Sequence, residues 1–488
     1  MVFIPKCMST QHPDNAHPPA YAADGVIKGE AEIQEAAEFF QLGCDEQMWD
    51  SEGKDADTHV VQKLLGTHPG FFRDEKVLGK DCVITLRIPN PAIEIEMRKL
   101  LVEAMQGIPT AYDVALGFYG EGAEAPIQEV ILPFTTSSEE LEMIAAYYEQ
   151  FIAGQEDLDL ALGRNIKDWI GEFHPKQVRV IPLVEDLDHM LHVDDIVREA
   201  VQRRPVPYQR VFLARSDPAL NYSTIGAELM LKVALHRLDN LERELGIPLY
   251  PIIGAGSVPF RGHLTPLNLD RAFREWPSVQ TLTVQSAFKF DYPLEDVRKG
   301  IETIRAHERS EPRPIDHERA ERIIAKLAKE YQSQVGQLAK VVAEVSAHVP
   351  KRRDRKLHVG LFGYGRSLAG SPEVTLPRAI GFAAAMYSIG IPPELLGMAA
   401  LDADDFAFLR EVYPSMDEDL AAAFVFANEG RVKDLLGQRY VKILSQFTGE
   451  IDHVHGGLTS AIWAALGHDK VHIPHYIEEA GLLRRFLG

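Results

Sequence analysis

Gln209 to Leu245 reads QRVFLARSDPALNYSTIGAELMLKVALHRLDNLEREL, and LYPIIGA follows at Leu249 to Ala255. A short, nearly continuous apolar run gives way to a polar turn. A long amphipathic stretch (Thr224 to Leu245) with helical spacing comes next, and then a second apolar run. This is a strand, a covering helix and the following strand of a parallel sheet buried on both faces.

The same unit recurs along the chain. Strand-like runs lie at Cys82 to Ile88, Glu129 to Thr135, Val178 to Val184, Gln209 to Arg215, Leu249 to Ala255, Gln280 to Ser286 and Lys356 to Phe362. Helical stretches such as Glu139 to Ile152 separate them. Seven or eight units fit both a closed (β/α)8 barrel and an open doubly wound sheet. Polar residues directly after several strands favour the barrel: Arg87, Glu185, Asp217, Arg261 and Arg366. A barrel gathers all its strand ends at one mouth, whereas an open sheet gathers fewer at its switch point.

Outside these units, the first 25 residues are rich in Pro, His, Asp and Asn and predict no regular element. A helix is expected near Lys28 to Leu42, a polar turn over WDSEGKDAD (Trp49 to Asp57), and a helix through Val60 to Leu65. Asp316 to Ala347 reads as a long charged amphipathic helix. The basic run KRRDRK (Lys351 to Lys356) after it reads as a solvated connector. Ala379 to Ile391 reads as a buried helix, and the chain beyond Phe362 as mostly helical.

Composition narrows the function. The formal charge is −21 over 488 residues, so the chain repels polyphosphate and no nucleic-acid partner is expected. The three cysteines, Cys7, Cys44 and Cys82, are odd in number and lack CxxC spacing, which suits a reducing compartment. The N-terminus lacks the basic start and apolar core of a signal peptide, and no apolar run approaches the roughly 18 residues of a membrane span. A cytoplasmic enzyme with no membrane partner is the expectation.

Glu185 and Asp217, each just after a strand and without cysteines nearby, suit a hard divalent cation such as Mg2+ or Mn2+. From spacing alone, helix capping or salt bridging explains them more simply, since Asp217 precedes Pro218. Arg261 ends the glycine-containing loop GAGSVPFRGH, Arg366 sits in GYGRS, Arg87 follows a strand and Arg378 opens a helix. Arginines beside glycine loops suit phosphate or carboxylate oxygens, although pairing with surface carboxylates is as good a reading for any one alone. His12, in the turn STQHPDN, is a candidate general base. HVH at His453 to His455 lacks a third ligand and reads as a loop.

Taken in order, MSTQHPDN, MWDSEGKDADTHVVQKLL, LARSDPALNYS, GSVPFRGHL, QSAFKFDYP and GYGRS followed by LPRAI and YSIGIPPELLG resemble the archaeal-type phosphoenolpyruvate carboxylases, from Met8 to about Gly397. The resemblance implies a (β/α)8 barrel elaborated with extra helices. It would span 1–488 as one domain: an N-terminal segment to about 80 contributing to the active site, the barrel over about 80–400 and a helical part over about 400–488. It implies carboxylation of phosphoenolpyruvate by bicarbonate to oxaloacetate and phosphate, with Mg2+ or Mn2+, in a homotetramer built as a dimer of dimers. Another metal-dependent barrel acting on phosphoenolpyruvate or pyruvate, such as a carbon–carbon lyase, is the alternative. A non-catalytic anion-binding barrel is a more distant one.

Residue by residue, His12 resembles the essential histidine of the longer bacterial and plant enzymes, and Glu185 and Asp217 resemble their metal ligands. Arg261 resembles the last arginine of their glycine-rich loop, Arg366 and Arg378 later arginines, Arg87 a phosphate-side arginine, and Lys54 a basic loop residue. Two positions depart from the pattern. Ala255 stands where that loop has its first arginine, and Leu220 and Asn221 occupy the region of a lysine. Arg215 and Lys289 are the candidates to substitute.

Overall fold

Eight parallel strands close on themselves in sequence order: β1 (Cys7–Ser9), β2 (Glu46–Asp50), β3 (Val83–Arg87), β4 (Ile127–Leu132), β5 (Arg179–Val184), β6 (Gln209–Ala214), β7 (Leu249–Gly254) and β8 (Thr281–Val284). Closure comes from β1, which pairs with β8 (Met8 opposite Thr283) and with β2 (Met8 opposite Glu46). The computed structural model describes residues 3–51, 57–95, 98–354, 367–368, 371–447 and 450–488. Among them stand the helices α1 (Glu30–Gln41), α2 (Ser216–Tyr222), α3 (Thr224–Leu245), α4 (His317–Ser346), α5 (Ala379–Ser388), α6 (His453–Leu466) and α7 (Ile473–Arg484).

The barrel therefore starts at residue 7, not near 80, and its last strand ends at Val284. Two strands escape the sequence pattern. β1 has only three residues, too few for any periodicity, in a stretch expected to be irregular. β2 reads EQMWD, and its polar residues are fully buried because each finds a partner: Glu46 across the barrel in Arg210, Asp50 on the adjacent strand in Arg87, and Gln47 in the Met48 carbonyl. The strand expected at Lys356 to Phe362 falls outside the described residues, and the barrel is complete without it.

The interior is layered. At the N-terminal end, Arg210 of β6 donates to Glu46 Oε1 and Oε2 at 2.8 and 2.7 Å and to Glu129 Oε2 at 2.8 Å. Arg179 donates to Glu129 at 3.2 Å as the second cation, and Thr85 and Thr281 complete the cluster, so that both carboxylates have an opposite charge and hydrogen bonds, as burial in low dielectric demands. Above it Met8, Met48, Ile131, Ile181, Leu183, Phe212 and Ile252 fill the barrel with apolar volume. The polar mouth lies beyond that layer.

Outside the strands, α3 and α4 pack together and α4 also packs on α5, in an apolar core continuous with the C-terminal helices. α4 buries Ile323, Ile324, Leu327, Tyr331, Val335, Leu338, Val342 and Val345, one stripe at three- and four-residue spacing. The buried helix expected over Ala379 to Ile391 is present as α5, which ends at Ser388, with Ile389 and Ile391 buried beyond it. Among the described residues no single helix is long and apolar enough to cross a membrane. Cys7, Cys44 and Cys82 are buried free thiols, with the first two in contact at 3.3 Å.

Two local readings are corrected. His453 to His455 is not a loop but the first turn of α6, capped by the Asp452 side chain. His455 is buried against Arg484 (2.8 Å), and burial together with that charge holds its pKa near 2. The KRRDRK run is a solvated connector only in part where it is described: Lys351 and Asp354 are exposed, but Arg352 and Arg353 are both buried. Arg353 is paired with Glu35 on α1, 318 positions away in the chain, a partner that a local charge run cannot reveal.

Candidate active site at the barrel mouth

Most strand ends deliver polar groups to the mouth. β3 ends on Arg87, whose Nε and Nη2 donate to the two carboxylate oxygens of Asp50, the last residue of β2, at 2.9 Å each. Glu185 follows β5 and accepts from the Phe134 amide at 3.0 Å. Phe134 has a φ of 52°, a left-handed conformation that a non-glycine residue adopts at a cost of about 1–2 kcal/mol. That turn after β4 aims the amide at the carboxylate.

β6 delivers Arg215, Ser216 and Asp217, the last two inside the first turn of α2. Asp217 is thus both the helix-start residue that its Pro218 suggested and a cavity-lining carboxylate.

Arg261 arrives on the loop after β7. Gly256 donates to the Arg261 carbonyl (2.7 Å) and Leu264 to the Gly256 carbonyl (2.9 Å), which folds the loop tightly. The Arg261 side chain is fully buried. It donates to Ser216 Oγ (2.9 Å), to the Gln285 side chain, to the Gly488 carbonyl (3.3 Å) and to Asp14 (3.5 Å). Burial pulls its pKa down, opposed by the Asp14 and Asp217 charges.

His12 comes from the segment after β1. Its Nδ1 lies 2.9 Å from Thr10 Oγ1. That segment is held from several sides. Lys289 donates to Ser9 Oγ, the Thr10 carbonyl and Glu35 at 2.7, 2.8 and 2.9 Å. Arg353 donates to the His12 carbonyl at 3.3 Å, and Arg352 to the carbonyls of Asn15 and Ala16 at 3.1 and 2.6 Å. Burial pushes Glu35 up, and Arg353 and Lys289 more than reverse this, leaving it at about 2.

These groups surround one cavity of about 500 Å3. Of the residues singled out from the sequence, His12, Arg87, Glu185, Asp217, Arg261 and Arg378 all line it. Lys54 and Arg366 lie outside the described residues. Arg215, Gln285, Arg352 and Arg353 also line the cavity. Arg215 was legible only as a substitute candidate, directly after an apolar strand. The two adjacent arginines after Pro350 carried a signal, but one indistinguishable from a solvated face.

Glu185 and Asp217 follow adjacent strands, and both line the cavity. Among the described residues no group of three or more His, Cys, Asp or Glu could enclose a metal. Two hard carboxylates in an open cavity suit a cation that keeps water and substrate as its other ligands, rather than an all-protein cage.

Fold and mouth together define a (β/α)8 barrel whose mouth gathers arginines and carboxylates around one cavity. Residues 4–488 match the family model described as phosphoenolpyruvate carboxylase. The phosphoenolpyruvate carboxylase of Methanothermobacter thermautotrophicus is 46% identical over 488 residues, covering 99% of this chain and all of that one. That of Halobacterium salinarum is 48% identical over 441 residues, 89% of each chain. A Haloferax volcanii malate synthase structure overlaps 85% of this chain and 96% of its own at 10% identity, but its TM-score of 0.39 is too low to bear on fold or function. The chain belongs to the archaeal-type phosphoenolpyruvate carboxylase family and is an enzyme of the carboxy-lyase class.

Proposed function

We propose that this mouth carboxylates phosphoenolpyruvate with bicarbonate, giving oxaloacetate and phosphate, with His12, Arg261, Arg366, Arg87, Arg378 and Lys54 acting on the substrates and Glu185 and Asp217 holding Mg2+ or Mn2+. The observation that carries the site assignment is the convergence of His12, Arg87, Glu185, Asp217, Arg261 and Arg378, spread over 367 positions of sequence, on one cavity.

The cation, when bound, supplies positive charge for the enolate oxygen that develops as the phosphoryl group leaves. Arg261 has its guanidinium fixed by Ser216 and Gln285, so its orientation is set before substrate arrives. It and the other arginines hold phosphoryl oxygens while a bicarbonate oxygen attacks phosphorus, which forms carboxyphosphate and the enolate. Thr10 Oγ1, 2.9 Å from His12 Nδ1, orients the His12 ring for the role of base. His12 takes the carboxyl proton of carboxyphosphate, the C–O bond to the phosphoryl oxygen breaks, and CO2 and phosphate are released. The enolate carbon then attacks CO2. Met48, Phe134, Leu183 and Phe212 form apolar wall, which limits water that would protonate the enolate to pyruvate.

A coupled malate dehydrogenase assay tests the reading. NADH oxidation that requires bicarbonate and stops with chelator supports it. Turnover without bicarbonate favours a carbon–carbon lyase and overturns it. Assembly as a homotetramer and cytoplasmic location belong to the same reading. Exposed Phe151, Leu158, Leu162, Trp169 and Ile170 supply apolar surface for assembly, within one stretch of chain. Sedimentation velocity of the full chain decides the oligomer.

A further inference from the structure

We infer that Arg215 is a phosphoryl-binding residue of this cavity, supplying the donor that Ala255 lacks. The inference rests on the cavity being the carboxylation site and adds a residue to it.

Arg215 follows β6, lines the cavity and is 1% exposed. Its Nη1 is anchored on Glu228 of α3, and its guanidinium lies 5.9 Å from the Trp276 ring. Its Nε and Nη2 have no hydrogen-bond partner among the described residues. A buried donor without a partner costs about 1–3 kcal/mol, and more when charged. Arg215 is among the residues that line the cavity, and a ligand oxygen there would complete such a donor.

The anchor is itself built. Glu228 accepts from Trp276 Nε1 at 2.9 Å and pairs with Lys232 at 3.2 Å, and Lys232 pairs with Glu275 at 2.7 Å. This alternating chain of buried charges holds one edge of the guanidinium and leaves the rest of its fork uncommitted.

Geometry links Arg215 to the arginine loop. A side-chain carbon built on Gly262 would lie 3.1 Å from the Ala255 methyl and 3.2 Å from Arg215 Nε. Arg215 thus occupies the space beside Ala255, and Gly262, with a φ of 107°, leaves room for it. Ser216, the next residue, holds Arg261 Nε, so the two guanidiniums share one wall. A phosphoryl dianion needs several converging donors; Arg261 spends most of its fork on Ser216, Gln285, Asp14 and Gly488, so the Nε and Nη2 of Arg215 on the same wall, unpaired among the described residues, add what it lacks. Lys289, the other substitute candidate, is excluded. Its three ammonium protons are taken by Ser9, Thr10 and Glu35, and it does not line the cavity.

The test is competitive inhibition by inorganic phosphate and by pyruvate, with phosphate binding also measured by calorimetry on the full chain so that turnover is not needed. Arg215→Met should weaken phosphate about 10- to 100-fold and leave pyruvate within about twofold. Arg215→Lys should recover part of the loss, because it restores charge without the planar fork. Arg215→Met strands Glu228, so Arg215→Met with Glu228→Gln provides a charge-balanced variant if the single one does not fold. Unchanged phosphate affinity in a folded variant overturns the inference, as does a loss confined to pyruvate. Wild-type protein that binds phosphate tightly but makes no oxaloacetate would instead refute the carboxylation reading and leave Arg215 as an anion donor.

Discussion

Glu35 and Arg353, 318 positions apart, form a two-point ion pair beside the cavity, with Arg353 Nη1 and Nη2 donating at 2.8 and 2.7 Å. The same carboxylate receives Lys289 at 2.9 Å. Through these two cations Glu35, on a helix outside the barrel, fixes the backbone carbonyls of Thr10 and His12. It is a positioning residue and need not touch substrate.

Removing Glu35 should therefore damage both fold and rate. Glu35→Ala leaves two buried cations unpaired, at a cost of about 3–5 kcal/mol. Chemical denaturation should show that loss. In variant that remains folded, kcat should fall more than the KM for phosphoenolpyruvate rises, because the base is misplaced while the arginines of the opposite wall stay.

His12→Asn removes the base and keeps most of the volume. Oxaloacetate formation should fall about 10²- to 10⁴-fold. Inhibition by inorganic phosphate should be little changed. Full activity in the variant would end the assignment of His12 as base.

Asp217→Asn removes one of two hard ligands. Half-saturation by Mg2+ or Mn2+ should rise at least about tenfold, read as activity against metal concentration. Glu185→Gln should behave alike, while its remaining side-chain oxygen can still accept from the Phe134 amide and keep the left-handed turn. Unchanged metal dependence in both variants would dismiss the ligand pair.

Glu394 gives a pH-dependent stability. It is buried, accepts from the Tyr387 hydroxyl at 2.8 Å, and burial raises its pKa from 4.5 to about 7. A carboxyl raised on folding stabilises fully below its unfolded value, and that contribution is lost as pH rises through the folded value. The loss between roughly pH 5 and 8 is about 3 kcal/mol, at 1.36 kcal/mol per unit. Glu394→Gln stays neutral, so its melting temperature should hold nearly level over that range while the wild type falls by a few degrees. Parallel curves would refute the effect.

Much of this protein was open to local reading. The span of α3 was visible as Thr224 to Leu245, because its polar turn, apolar stripe and closing Gly246 are all local signals. Six strands were visible because both their faces are buried, which writes a continuous apolar run into the sequence. Glu185 and Asp217 stood out for the same reason, since a charge soon after such a run must sit where the barrel opens; Arg261 stood out as the end of a glycine-containing loop.

Tertiary structure decided the rest, where a residue's partner is distant. β1 is a strand only because β8 and β2 lie on either side of it; three residues hold no pattern of their own. β2 is polar because Arg210 waits across the barrel for Glu46. KRRDRK looked solvated, since nothing within the run shows that Glu35 will take one arginine and that the backbone at Asn15 and Ala16 will take another. Arg215 and Lys289 looked equivalent until packing saturated one and left the other two donors short. Periodicity records burial along one element, whereas the pairing of buried charges is settled between elements, when desolvation makes each one find a partner.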